Sequence, residues 1–251
     1  MPERDVIVRR YLRHQPRLAQ EAIIRLLDEG AAAAAEDAVG AGDDDSMDGT
    51  EHTSLRDLRV AAVTGALAAA GARRVLDLGC GDGRLIAALL RDAQFEEIVG
   101  VDTSVAALER AARRLWVDEM APRQRQRVRL LQGALTYRDR RLAGYDAAVL
   151  MEVIEHVDPD RLDALEQAVF GEAAPVAVIV TTPNAEYNAC YPGLAAGAMR
   201  HLDHRFEWDR AQFRAWAQAV AVRHGYAVSF EPVGEQSPQF GPPTQMAVLS
   251  R

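Results

Sequence analysis

From Ser54 onward the chain alternates between short, nearly continuous apolar runs and longer amphipathic stretches. Arg74–Leu78, Glu97–Val101, Val128–Leu131, Ala147–Met151 and Val176–Val180 are runs of the first kind, the pattern of parallel strands buried on both faces. Between and around them, Leu55–Ala70, Leu85–Leu90, Arg161–Phe170 and Asp209–His224 read as helices, and Ser104 is placed to N-cap another through Leu115. Val228–Phe230 and Met246–Leu249 follow with no helix between them, which predicts a closing hairpin. Repeated strand–helix alternation predicts an α/β fold. Its sheet should be seven-stranded and mostly parallel, with helices on both faces and an antiparallel edge strand.

The first 53 residues differ from the rest. Tyr11, Leu12, Leu18, Ala22, Ile23, Leu26 and Leu27 recur at helical spacing, and residues 30–53 then become rich in Ala, Gly and Asp. The chain therefore divides into a helical appendage with an acidic loop, 1–53, and an α/β domain, 54–251. Its 251 residues are 49% hydrophobic and 26% charged, enough to bury a sizeable core. No apolar run reaches the roughly 18 residues that span a bilayer, and the N-terminus lacks the apolar stretch of a secretory signal. No membrane association is expected. Two distant cysteines, Cys80 and Cys190, form no disulfide framework and point to a reducing, cytoplasmic setting. The net charge of −8 argues mildly against nucleic acid, but arginines cluster at 123–129 and 138–141. Such patches are either local anion sites or solvated surface.

The chemistry gathers at strand ends. Asp77-Leu78-Gly79-Cys80-Gly81-Asp82-Gly83 follows the first predicted strand and opens a helix, and Asp102 ends the second strand. Glycines suit a sharp turn that lets backbone approach a ligand. A carboxylate at the second strand end can accept from both ribose hydroxyls of a nucleoside. The spacing is G-x-G-x-G, not the G-x-G-x-x-G of a dinucleotide site, and two aspartates flank it. Negative charge disfavours a pyrophosphate and favours the amino and sulfonium groups of S-adenosylmethionine. The domain is therefore read as a Rossmann-like, class I methyltransferase.

Glu152-Val153-Ile154-Glu155-His156 follows the fourth strand, where an acceptor would lie. On one helical turn, Glu152, Glu155 and His156 could converge, and carboxylates with an imidazole suit Mg²⁺ or Mn²⁺. A fourth ligand could come from His201 or His204 in RHLDHRFEW (200–208). Loop packing and substrate hydrogen bonding fit the same residues, and spacing leaves both readings open. Thr181, Thr182, Asn184, Tyr187 and Asn188 follow the fifth strand. They could line an acceptor path, with Tyr187 stacking on a base, or form an ordinary strand-end loop turned by Pro183. Arg200 could meet a phosphate. Phe206, Trp208, Phe213 and Trp216 read as core.

Taken together, DLGCGDG (77–83), GVD (100–102), EVIEH (152–156), TTPNAEYN (181–188) and RHLDHRFEW with Arg210-x-x-Phe213 resemble one family over about residues 54–251. It is the small-RNA 3′-terminal-nucleotide 2′-O-methyltransferases, and the RHLDH form is similar to its bacterial RNA-repair branch. The resemblance implies metal ligands at Glu152, Glu155, His156 and His204, with Mn²⁺ or Mg²⁺ bound. It also implies an S-adenosylmethionine site at Asp77, Gly79, Cys80, Gly81, Asp102, Thr103, Gly133, Ala134 and Met151. Relatives often carry a hydroxyl where this chain has Ala134, which leaves only backbone there. Thr182, Asn184, Tyr187, Asn188 and Arg200 would face the RNA 3′ end. Bacterial members carry a large N-terminal domain that works with a kinase–phosphatase–ligase repair partner. That large domain is not read in this sequence, and activation by the partner is not assigned to it.

The implied mechanism fits the residues. A ribose 2′-hydroxyl is a poor nucleophile, and a divalent ion lowers the pKa of an oxygen bound to it. Only a 3′-terminal nucleotide offers vicinal 2′- and 3′-hydroxyls, so chelation by both would select the end without reading bases. In-line transfer needs no protein nucleophile, which leaves Cys80 a packing residue. His156, His201 and solvent are the candidate proton acceptors. Two other functions compete. A metal-independent O- or N-methyltransferase of small molecules would share the fold and cofactor. A non-catalytic scaffold would have lost the glycine loop or the ligand cluster, and neither is lost.

Overall fold

In a computed structural model the described residues are 53–195 and 197–251. The helix and loop expected over 1–53 fall outside them except for the last position. Leu55–Ala69 forms helix α1, and Arg74–Leu78 forms strand β1. Arg84–Leu89 (α2), Glu97–Asp102 (β2), Val105–Arg114 (α3), Val128–Gln132 (β3) and Ala147–Met151 (β4) follow. Leu162–Glu166 (α4) runs on as π-helix through Gln167–Ala173, then come Ala177–Pro183 (β5), Arg210–His224 (α5), Ala227–Val233 (β6) and Thr244–Ser250 (β7).

The seven strands form one sheet in the order β3-β2-β1-β4-β5-β7-β6. Pairings from β3 through β5 are parallel, and β7 runs antiparallel to both β5 and β6. The expected hairpin thus forms, and its second strand tucks inward beside β5 and leaves β6 at the edge. Burial explains the choice. Thr244–Leu249 carries the apolar residues Met246, Ala247 and Leu249 at 1% exposure or less, whereas β6 alternates exposed and half-buried positions up to buried Val233, as an edge strand does. The order reverses between β1 and β4, so the two halves of the sheet splay apart beyond their carboxyl ends, the usual ligand crevice of such folds.

Two clusters pack on opposite faces of the sheet. One includes Leu76, Leu150, Phe170, Val180 and Phe213; the other includes Leu67, Val75, Phe95, Ile98 and Ile179. Phe95, Phe170 and Phe213 are fully buried, and truncating any of them to Ala should cost about 3–5 kcal/mol. Phe206, Trp208 and Trp216 pack against the first cluster, so their core role holds. Helix ends follow their sequence signals. Ser104 accepts from the Ala107 N–H at 3.2 Å, and Asp209 with Gln212 forms a capping box at the start of α5. No helix among the described residues is long and apolar enough to cross a membrane.

Candidate active site

The β1–α2 loop folds back on β2 through backbone. The Gly79 and Cys80 N–H groups donate to the Val101 carbonyl at 2.7 and 3.0 Å. Asp102 ties the loop further: one carboxylate oxygen accepts from the Gly81 N–H at 2.9 Å, the other from the Ser104 N–H at 2.8 Å. Gly79 sits at φ 81°, and a Cβ there would lie 2.6 Å from Val153 Cγ2. Only glycine satisfies both the backbone and that close approach. Thr103, Gly133, Ala134 and Met151 stand at the ends of β2, β3 and β4, exposed or partly exposed around the same crevice. Gly133 is fastened by its N–H to the Asp102 carbonyl at 3.0 Å.

Asp77 is the unusual group at this end. It is 2% exposed, and its Oδ2 has no hydrogen-bond partner. Burial, with the Asp102 and Asp82 charges adding, pushes its pKa up to about 7. A buried acceptor without a donor fits a cationic ligand, and the methionyl ammonium of S-adenosylmethionine is one. Asp102 keeps free lone pairs beside its two backbone donors, as a ribose diol requires. The loop residues therefore fit the donor expected from the sequence. Cys80 is buried, and burial together with Asp77 raises its thiol pKa above the ordinary value, the setting of a packing residue and not of an activated thiolate.

The acceptor end is built from β4, β5 and the segment 200–208. Glu152 follows β4 in the left-handed region, φ 55°, a conformation costly for a side chain and common at functional sites. Its N–H donates to the Thr181 carbonyl at 3.2 Å. The Thr181 hydroxyl donates to Glu152 Oε1 at 2.7 Å, and Arg59 on α1 pairs with Oε2 at 3.2 Å. Residues Ile154–His156 then form a single 3₁₀ turn. Glu152 thus precedes the helical turn instead of sharing it with Glu155 and His156, because its left-handed backbone breaks the helical geometry.

Glu155, His156 and His204 offer ligand atoms that lie within 4.8 Å of one another, and they form the potential metal-holding group found among the described residues. Glu152, held by Thr181 and Arg59, stands beside that group and not within it. Glu155 is fully buried; its Oε2 accepts from the Thr182 hydroxyl at 3.1 Å, and its Oε1 has no partner. Burial and the nearby Glu152 charge raise its pKa well above the carboxylate range. Burial lowers the pKa of His156, with His204 and His201 adding and Asp203 opposing. A partnerless buried carboxylate oxygen facing two imidazoles is the donor set of a divalent cation site, so these residues fit one.

Most expected RNA contacts are spent inside the protein. Thr182 serves Glu155. Asn184 is buried and donates to the Phe240 and Pro242 carbonyls at 2.8 Å each. Asn188 and Arg200 bond each other at 2.7 Å, and Arg200 also reaches the Asn184 and Pro243 carbonyls. Tyr187 is partly exposed and meets Tyr191 edge-on at 5.6 Å. His201 is bonded to Asp203, with its ring 5.6 Å from that of His204. Sequence reasoning missed Arg59, Thr181 as a partner of Glu152, and Glu207, whose Oε1 lies 2.6 Å from His204 Nδ1. The Glu207 pairing could have been read from its position three residues after His204; nothing in the sequence connects Arg59 with Glu152.

A mostly parallel sheet with an acidic glycine loop at its crevice and a carboxylate at the next strand end defines a class I S-adenosylmethionine-dependent methyltransferase. Residues 76–170 match a family model described as a methyltransferase domain. The methyltransferase domain of bacterial CtHen1-CN is 47% identical, with a TM-score of 0.73 over 78% of this chain and 100% of that one. The small RNA methyltransferase HEN1 is 31% identical, also with a TM-score of 0.73, over 83% of this chain and 27% of that one. The small RNA 2′-O-methyltransferase of Gallus gallus is 38% identical over 178 residues, 69% of this chain and 45% of the relative. The chain belongs to the Hen1 family of small RNA 2′-O-methyltransferases, and it spans about half the length of the curated relatives it matches.

Proposed function

We propose that this protein transfers the methyl group of S-adenosylmethionine to the ribose 2′-hydroxyl of the 3′-terminal nucleotide of RNA. The observation that carries this reading is the buried Glu155–His156–His204 group, with its partnerless carboxylate oxygen, one strand away from the nucleoside-binding loop. Membership of the Hen1 family supplies the choice of acceptor.

At the donor end, Asp77 takes the ammonium and Asp102 the ribose diol. Gly79, Cys80 and Gly81 present backbone, and Thr103, Gly133, Ala134 and Met151 wall the nucleoside. Glu155, His156 and His204 would hold Mn²⁺ or Mg²⁺, and Glu152, paired with Arg59 beside them, would be the fourth ligand. Held there, such an ion would supply acidification of the acceptor hydroxyl. His201, at the rim and oriented by Asp203, takes the proton. Its partner carboxylate stabilises the protonated ring. Tyr187 offers a ring for the terminal base, while Thr182 and Asn184 shape the site by holding Glu155 and the strand-end loop. RNA repair beside a kinase–phosphatase–ligase partner is the setting we propose.

Labelled S-adenosylmethionine, Mn²⁺ and an RNA ending in either a 2′,3′-diol or a 2′-deoxynucleotide test the proposal. Label should enter the diol-ended RNA only. Transfer to the deoxy-ended RNA would defeat the 2′-O assignment. Transfer to small molecules without added metal would favour a metal-independent enzyme.

A further inference from the structure

We propose that Glu207 is the positioning residue of the acceptor site: its buried carboxylate fixes His204 in the Nδ1–H tautomer and leaves Nε2 as the lone pair available to the Glu155–His156 group. The inference rests on reading that group as a cation centre. It goes further by naming what sets the geometry of its most distant member in sequence.

Three donors converge on Glu207. His204 Nδ1 lies 2.6 Å and the Arg200 N–H 2.7 Å from Oε1, and Asn188 Nδ2 lies 2.5 Å from Oε2. The side chains of His204 and Glu207 are 8% and 2% exposed, so water does not compete for these bonds. Each carboxylate oxygen already accepts from an N–H donor, the Arg200 amide on Oε1 and the Asn188 side-chain amide on Oε2, so Glu207 acts as acceptor and the proton of the short His204 contact belongs to Nδ1.

The carboxylate is itself immobile. Asn188 Oδ1 accepts from Arg200 Nε at 2.7 Å, and Arg200 Nη2 donates to the Asn184 and Pro243 carbonyls at 2.9 and 2.7 Å. His204 is thereby tied, through Glu207, to the loop after β5 and the residue preceding β7. Asn188 and Arg200 thereby act on the site through Glu207. His156 has only a looser counterpart, Asp203, which sits 3.3 Å from its Nδ1 and is half exposed. Carboxylates that anchor the second nitrogen of a metal-bound histidine set its tautomer and ring orientation.

The test compares wild type, Glu207→Ala and Glu207→Gln. It uses Mn²⁺ binding by electron paramagnetic resonance, S-adenosylhomocysteine binding by calorimetry, and the His204 tautomer by ¹⁵N NMR of the metal-free protein. Wild type should show Nδ1–H. Glu207→Ala should show Nε2–H signal and bind Mn²⁺ about 10–100-fold more weakly, with S-adenosylhomocysteine affinity unchanged. Glu207→Gln keeps an acceptor oxygen for Nδ1 and should stay within tenfold of wild type. An Nδ1–H ring or unchanged Mn²⁺ affinity in Glu207→Ala overturns the proposal. If Glu207→Ala also loses S-adenosylhomocysteine, Glu207→Gln decides: an Nε2–H ring with unchanged Mn²⁺ affinity overturns it, and a kept Nδ1–H ring with retained affinity supports it. Wild type that binds no Mn²⁺ defeats the cation reading itself, a separate failure seen without any variant.

Discussion

The two ends of the crevice are made in different ways. The donor end has its loop in one stretch, β1 through β2, with walls added at the ends of β3 and β4, and the loop's shape is carried by backbone: glycines in the left-handed region and amides donating to Val101 and Asp102. The acceptor end comes from three separated segments and is carried by side chains: Glu155 from the turn after β4, Thr182 from β5, and His204 and Glu207 from the segment before α5. Both ends leave one buried carboxylate oxygen without a partner, on Asp77 and on Glu155. A local backbone scaffold tolerates little change in residue size, and a side-chain constellation tolerates little change in charge or placement. Damage at the first should therefore appear as lost stability and cofactor affinity, and damage at the second as lost transfer alone.

The largest effect separating the two ends should come from Glu155→Ala. Under the proposed cation-holding role, losing this carboxylate forfeits several kcal/mol of transition-state stabilisation, so transfer should fall by about three decades. S-adenosylhomocysteine should bind as before. Calorimetry and a labelled-methyl assay on one sample check both halves, and a parallel fall in the two would break the division between the ends.

Next comes Gly79→Ala. The added Cβ meets Val153 Cγ2 at 2.6 Å on a backbone at φ 81°, which should cost about 1–3 kcal/mol. For a chain of this size that is a drop in Tm of roughly 2–4 °C per kcal/mol, read in a thermal melt. Cofactor affinity should fall with it.

Asp77→Asn should weaken S-adenosylhomocysteine binding by about tenfold at pH 8, the value of one charge-assisted hydrogen bond. Its wild-type counterpart carries a pH signature. With a folded pKa of about 7, raised above the unfolded value near 4, the Asp77 contribution to stability is present at low pH and lost as pH rises to about 7. Affinity for the ammonium should move the opposite way, rising from pH 6 to pH 8 as the carboxylate ionises. A flat affinity profile in the wild type, or the same rise in Asp77→Asn, would remove Asp77 from the ammonium site. Smallest of all, a brief treatment with iodoacetamide should modify exposed Cys190 and spare Cys80, leaving transfer unchanged. Mass spectrometry of the peptides reads this directly.

The sequence by itself determined the layers, the strand and helix positions, and the donor end. Those features depend on local periodicity, on glycines at fixed spacing and on carboxylates at strand ends, all contained within short windows. It also marked Glu152, Glu155, His156 and His204 as residues that could meet, of which the last three form the group. Only the tertiary structure decided that β7 enters the sheet beside β5, since the apolar pattern of two adjacent strands does not say which of them faces the core. Only it seated Glu152 in a left-handed turn against Arg59, and turned Asn188 and Arg200 inward onto Glu207. A side chain's partner across a fold depends on how distant segments pack. Polar residues at a strand end look alike in sequence whether they bond a ligand, water or one another.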